Sequence, residues 1–104
     1  MKELKQFSDK ELLKAQIYNY IAGRGCKRVP VTTEELCNHT GLTGRQLRNL
    51  IQEIREDYPI VSREDEGGGY WLGNSDDIQN FIDRILSRKR RYEKTIRVMK
   101  RHIK

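Results

Sequence analysis

The chain is 104 residues long, 36% hydrophobic and 35% charged, with a formal net charge of +6 and a pI near 9.5. That length allows one domain with a small core, and the basic balance favours a polyanionic partner, of which nucleic acid is the commonest. No apolar run approaches the ~20 residues that span a bilayer, and residues 1–8 lack the apolar segment of a secretion signal, so a cytoplasmic location is expected and no membrane partner is.

Ser8 opens the first expected helix, residues 9–22, with Glu11 at capping-box spacing and Phe7 and Leu12 at the spacing of a hydrophobic staple. Leu13, Ile17, Tyr20 and Ile21 fall on one face, while Lys10, Lys14 and Asn19 fall away from it. Gly23 and Gly25 should end the helix, and residues 27–31, marked by Pro30, read as a brief edge strand.

Residues 32–57 (TTEELCNHTGLTGRQLRNLIQEIRED) carry the densest signals. Two short helices are expected, the first opened by Thr32 or Thr33 with Glu35, the second by Thr43 with Gln46, both as capping boxes. Gly41 between them can take the left-handed conformation of a sharp turn. On the second helix Leu47, Leu50, Ile51 and Ile54 make an apolar stripe, and the other face carries Arg45, Gln46, Arg48, Asn49 and Gln52. These polar types bond base edges and phosphates in a major groove, so the pattern reads as a helix-turn-helix whose second helix is the reader. Arg45, Gln46 and Asn49 are the base-edge candidates, Thr43 and the Gly44 amide suit a phosphate at the helix start, and Arg48 could do either. The plainer alternative is an ordinary solvated face on a protein-binding helix; against it, no acidic residue interrupts residues 43–52.

Pro59 stops the reader helix, residues 60–63 read as a strand, residues 64–69 as a flexible tip, and residues 70–72 as the returning strand. Tyr70 and Trp71 are expected in the hairpin core and not as stacking platforms for bases. The expected fold is mainly α with a small β-hairpin, an α+β winged helix-turn-helix over residues 1–73, followed by a long basic amphipathic helix over residues 74–104.

The order and spacing of Thr33-Glu34-Glu35-Leu36, Thr40-Gly41-Leu42-Thr43, Arg45-Gln46-Leu47-Arg48, Ile51, Ile54-Arg55, Pro59-Ile60-Val61-Ser62 and Gly68-Gly69-Tyr70-Trp71-Leu72 resemble the winged helix-turn-helix of bacterial repressors. The nearest relatives by this pattern are the N-terminal domains of the biotin operon repressor and of the DeoR type, over residues 9–73. The resemblance implies binding of double-stranded DNA by the helix starting at Thr43, with the hairpin as a wing along backbone or minor groove. Two departures stand out. Glu64, Asp65 and Glu66 occupy the wing tip, leaving Arg63 as the nearby phosphate contact, and no ligand-binding or catalytic domain follows. Small proteins of this layout with a basic terminal helix are familiar from bacteriophages, so the expected setting is a bacterial or phage-infected cytoplasm.

In the last segment Asn74 or Ser75 caps a helix expected to run unbroken to Lys104, with Asp76 and Asp77 in the first turn. Ile78, Ile82, Ile85, Lys89, Tyr92, Ile96, Met99 and Ile103 alternate spacings of four and three, a heptad seam with Lys89 in the one polar position. Thirty residues reach ~45 Å, so the first turns are expected on the preceding domain and the far half, with Ile85, Tyr92, Ile96, Met99 and Ile103, against a second copy in a two-fold dimer. From Arg84 onward ten basic residues face Glu93 alone, so this stretch carries +9 and the preceding 83 residues −3. Arg88, Arg90, Arg91, Lys94, Arg97 and Arg101 are the candidates for sequence-blind phosphate contact. The alternatives are a merely solvated helix face, or one that meets a neighbour's acidic wing and drives assembly.

Cys26 and Cys37 show no C-x-x-C spacing and read as reduced thiols in or near the core; neither they nor His39 and His102 have partners at metal or catalytic spacing. With no phosphate loop, positioned nucleophile or metal cluster, no enzyme activity, cofactor, metal or small-molecule ligand is expected. The leading expectation is a small dimeric regulator of transcription that binds specific DNA. The others are a phage replication, recombination or packaging accessory that oligomerises on DNA, and a protein-binding adaptor.

Overall fold

The computed structural model describes residues 8–63 and 68–103. Among them are four helices and a two-stranded antiparallel sheet, in the order α1 (Asp9–Arg24), α2 (Thr33–Thr40), α3 (Gly44–Ile54), β1 (Ile60–Ser62), β2 (Tyr70–Leu72) and α4 (Ser75–Lys100). The chain divides after Asn74 into two units.

In the first unit α1 packs on α2, α3 and β2, and α2 packs on α3. Ile17, Ile21, Val31, Leu36, Leu47, Ile51 and Ile60 form the centre of the core, each at most 2% exposed. Leu50, Ile54 and Tyr70 close it from the sides. Trp71 and Val61, also buried, alternate with Tyr70 and Ile60 along the hairpin, whose register pairs Ile60 with Leu72, Val61 with Trp71 and Ser62 with Tyr70. A two-stranded ribbon of three-residue strands is not stable alone. It is joined to the helices by Val31, whose N–H donates to the Tyr70 carbonyl (3.0 Å) and whose carbonyl accepts from the Tyr70 N–H (2.8 Å).

Local chemistry sets most element ends. Ser8 and Glu11 form the full capping box of α1, and Thr43 and Gln46 that of α3. Thr32 caps α2 by accepting from the Glu35 N–H at 3.0 Å, but the box is only half made, because the Glu35 carboxylate accepts from the Tyr20 hydroxyl at 2.7 Å. A charged acceptor for a phenol on α1 wins over a return bond to the local backbone. Four expectations need correction. First, α1 continues through Gly23 to Arg24, since a glycine in a helix costs only about 1 kcal/mol relative to alanine, and it ends at Gly25, whose N–H donates to Ile21 (2.8 Å). Second, residues 27–31 give no strand, only the single bridge at Val31. Cys26 and Val29 close a turn through Cys26 N–H to the Val29 carbonyl (3.1 Å), and Pro30 has no N–H for a ladder. Third, Cys26 is exposed; Cys37 alone packs against the core. Fourth, α4 stops at Lys100. The N–H groups of Arg101, His102 and Ile103 reach back only three residues, to Val98, Met99 and Lys100, so the chain tightens into a turn. The staple partner Phe7 and the carboxylates Glu64, Asp65 and Glu66 lie outside the described residues, and Leu12 is 56% exposed.

Two glycines are required for different reasons. Gly41 ends α2 in the left-handed conformation (φ 80°) with open space around its missing side chain. Gly69 has φ 147°, and a Cβ there would lie 2.5 Å from the Cβ of Pro30. Gly41→Ala should therefore cost only the left-handed strain of about 1–2 kcal/mol. Gly69→Ala adds the overlap with Pro30 to its strain and should cost more, about 2–4 kcal/mol. Urea unfolding of the two variants side by side checks the order.

Candidate nucleic-acid interface

The geometry of α3 follows from its stripe. Leu47, Leu50, Ile51 and Ile54 are all at most 8% exposed, so the helix is fixed in rotation about its own axis. The opposite side then turns outward as a group: Arg45, Gln46, Arg48, Asn49 and Gln52 are all exposed, with Thr43 exposed at the cap and Gly44 half-buried in the first turn. Gln46 is partly committed. Its side-chain oxygen accepts from the Thr43 N–H (3.0 Å), while its own N–H donates to the Thr43 hydroxyl (3.2 Å). Its side-chain amide donors therefore remain for a ligand. Arg48 leans toward the start of the helix, its Nη1 lying 3.4 Å from where a Cβ on Gly44 would stand. The guanidinium thus lies beside the first-turn amides, where the helix dipole already favours an anion.

The next acidic side chain along α3 is Glu53, which no local sequence signal marks. It is held by α1: Lys10 Nζ is 2.9 Å from one carboxylate oxygen and Lys14 Nζ 3.6 Å from the other. A phosphate approaching this face meets a compensated carboxylate. The lysines were legible as a pair four apart on α1, but their partner on another helix was not. A shallow depression of about 310 Å³ between Lys10, Gln46, Asn49 and Glu53 joins the two helices here. Arg55, by contrast, belongs to the scaffold. Its Nε donates to the Ile60 carbonyl (2.8 Å) and its Nη2 to the Ser62 hydroxyl (3.3 Å), and burial lowers its pKa from the usual guanidinium value without neutralising it.

Arg63 is not on this face. It is half-buried just after β1, and its Nη2 donates to the Lys27 carbonyl at 3.1 Å, bracing the turn between α1 and α2. Arg63, expected as a phosphate contact, is thus engaged within the fold.

The remaining expected residues belong to α4. Arg90, Arg91, Lys94 and Arg97 are exposed and lie on the side of the helix turned away from its apolar stripe, while Arg88 is half-buried. Ile85, Tyr92, Ile96 and Met99 form that stripe, and each is more than 40% exposed. Arg101 and Ile103 fall beyond Lys100, in the terminal turn, so neither extends the helical pattern as expected. Among the described residues no helix is long and apolar enough to cross a membrane, and no cluster of His, Cys, Asp and Glu could hold a metal ion. No family model and no solved structure matches the chain.

The Lys10 hydrogen bond holds the Glu53 pKa below the ordinary carboxylate range against the opposing effect of burial, and the nearby charges of Lys10 and Lys14 lower it further. A carboxylate whose pKa is lower folded than unfolded stabilises the fold above its unfolded pKa. That contribution is lost as pH falls through the depressed folded value. Urea midpoints measured from neutral to acid pH should show this loss as one component of the decline. In Glu53→Gln the decline should be shallower.

Proposed function

We propose that the first unit is a winged helix-turn-helix and that the protein binds specific double-stranded DNA, with α3 in the major groove, as a small homodimeric regulator of transcription. The observation that carries this reading is the uninterrupted polar face of α3. Five side chains suited to base edges and phosphates are exposed together on a helix locked from behind, and the neighbouring carboxylate of Glu53 is paired with two lysines. The order of elements supports the fold reading: a helix, a bridging extended residue, two helices joined at a left-handed glycine, then a hairpin. Arg45 and Asn49 read base edges, Thr43, Gly44 and Arg48 hold a phosphate at the helix start, and Gln46 contributes through its amide donors. Two copies pair through α4, whose basic side adds backbone contact, so that two reader helices meet successive major grooves of an inverted repeat.

Selection from random duplexes, followed by gel-shift titration over a range of salt, tests the reading. Arg45→Ala and Asn49→Ala should each lose about 1–3 kcal/mol of discrimination at one base position. A double Arg91→Ala, Arg97→Ala variant should instead weaken all sequences alike and reduce the salt slope by about 2. If no duplex is preferred over any other, specific recognition is wrong. If no duplex binds at low salt, the DNA reading as a whole is wrong.

A further inference from the structure

The longest helix carries two stripes that conflict when two copies approach. Along residues 82–99, Ile82, Ile85, Lys89, Tyr92, Ile96 and Met99 follow one another at alternating spacings of three and four, a mean of 3.5, which is the period of a seam between two supercoiled helices. No residue of α4 is buried, and the five apolar members are 42–63% exposed. Turned away from them run Arg90, Arg91, Lys94 and Arg97, at the outer positions of the same heptads.

Resting on the pairing described above, we propose that α4 is a charge-gated pairing helix: two copies close in parallel and in register along residues 82–99 only when phosphates or salt neutralise their basic ridges. Orientation follows from the one acidic residue of the basic stretch. Glu93 sits at the edge of the seam five residues after Arg88, the offset at which edge positions face each other across a parallel pair. An antiparallel pair with the seam fully overlapped would instead set Glu93 against Leu86. The occupant is a second copy because the 3.5 period and this Arg–Glu complementarity belong to the same stretch of one chain.

The gate follows from distances. From Arg84 to Lys100 each helix carries eight basic side chains and one acidic one. Packed helix axes lie about 8–10 Å apart and the outward ridges farther apart still, within the Debye length of ~30 Å at 0.01 M salt but well beyond the ~3 Å at 1 M. At about 0.01 M salt the net charge of +7 on each helix therefore repels its partner with little screening, and Lys89 adds a charge inside a seam of five apolar side chains. Duplex phosphate removes the same repulsion by replacing its counterions with the arginines. Assembly of the dimer and occupation of the backbone thereby become one linked equilibrium.

The test is a disulfide at the seam. Tyr92→Cys is introduced into the full chain with Cys26→Ser and Cys37→Ala, because Cys26 is exposed and Cys37 lies against the core. Lys94→Cys in the same background is the outward-facing control. Crosslinking at position 92 should rise at least about tenfold between about 0.01 M and about 1 M salt. It should rise comparably at the lower salt when a short duplex is added, with light scattering of the parent protein following the same course. Lys89→Ile should move the rise to lower salt. Equal yields at both salts would overturn the gate. A dimer by scattering without a crosslink at 92 would overturn the parallel register, and a monomer under every condition would overturn the pairing. A rise with salt but none with a duplex that binds by gel shift would overturn the link between pairing and DNA, whereas a duplex that does not bind at all would count against the DNA reading instead.

Discussion

The burial of one side of α3 is the constraint on which the rest of the first unit depends. Leu47, Leu50, Ile51 and Ile54 each lie in the core, and a fully buried aliphatic side chain is worth about 1.5–3 kcal/mol. The four together match the whole net stability of an ordinary small domain, about 5–15 kcal/mol. Rotating this helix by one residue would therefore unfold the unit before it re-aimed the polar side chains. What Arg45 and Asn49 present to a ligand is set by leucines and isoleucines that never touch it.

Around that anchor the polar interactions divide into two kinds. Arg55 ties the end of α3 to β1, Tyr20 and Glu35 tie α1 to α2, and Arg63 braces the turn at Lys27. These contacts use charged or polar groups to hold elements in place, within reach of the core. The side chains of Arg45, Arg48, Asn49 and Gln52 have no such duty among the described residues and stand exposed. Gln46 is intermediate, with one end in a capping box and the other outward. Preorganisation at the site thus comes from the helix and its cap.

What could be read from the sequence is what depends on near neighbours in the chain. The capping residues Ser8, Thr32 and Thr43, the left-handed Gly41, and the strands at Ile60 and Tyr70 need only short-range chemistry, and each stands where expected. The misses involve partners far along the chain or missing stop signals. Nothing local to Glu35 announces Tyr20, fifteen residues earlier, so the sequence alone points Glu35 to its own helix cap. Glu53 carries no local signal because its lysines lie on another helix. No glycine, proline or capping side chain marks Lys100, and a helix of uniform composition offers no other boundary, so the end of α4 is not legible. The α3 face was legible because burial periodicity fixes both sides of a helix at once. The position of Arg63 was not, because its reach to the Lys27 carbonyl spans thirty-six residues.

The backbone bridge that ties the hairpin to the connection between α1 and α2 is made by a single residue. Val31 exchanges both of its backbone hydrogen bonds with Tyr70, and its immediate neighbour Thr32 caps α2. Any shift of the ribbon is therefore delivered directly to the start of α2, with no slack between them. In evolutionary terms the two sides of Val31 are unequal. An insertion in the turn at Cys26 to Val29 would disturb that turn and its brace from Arg63, whereas one between Val31 and Thr32 would uncouple sheet from helix, so tolerance of added length should fall on the earlier turn.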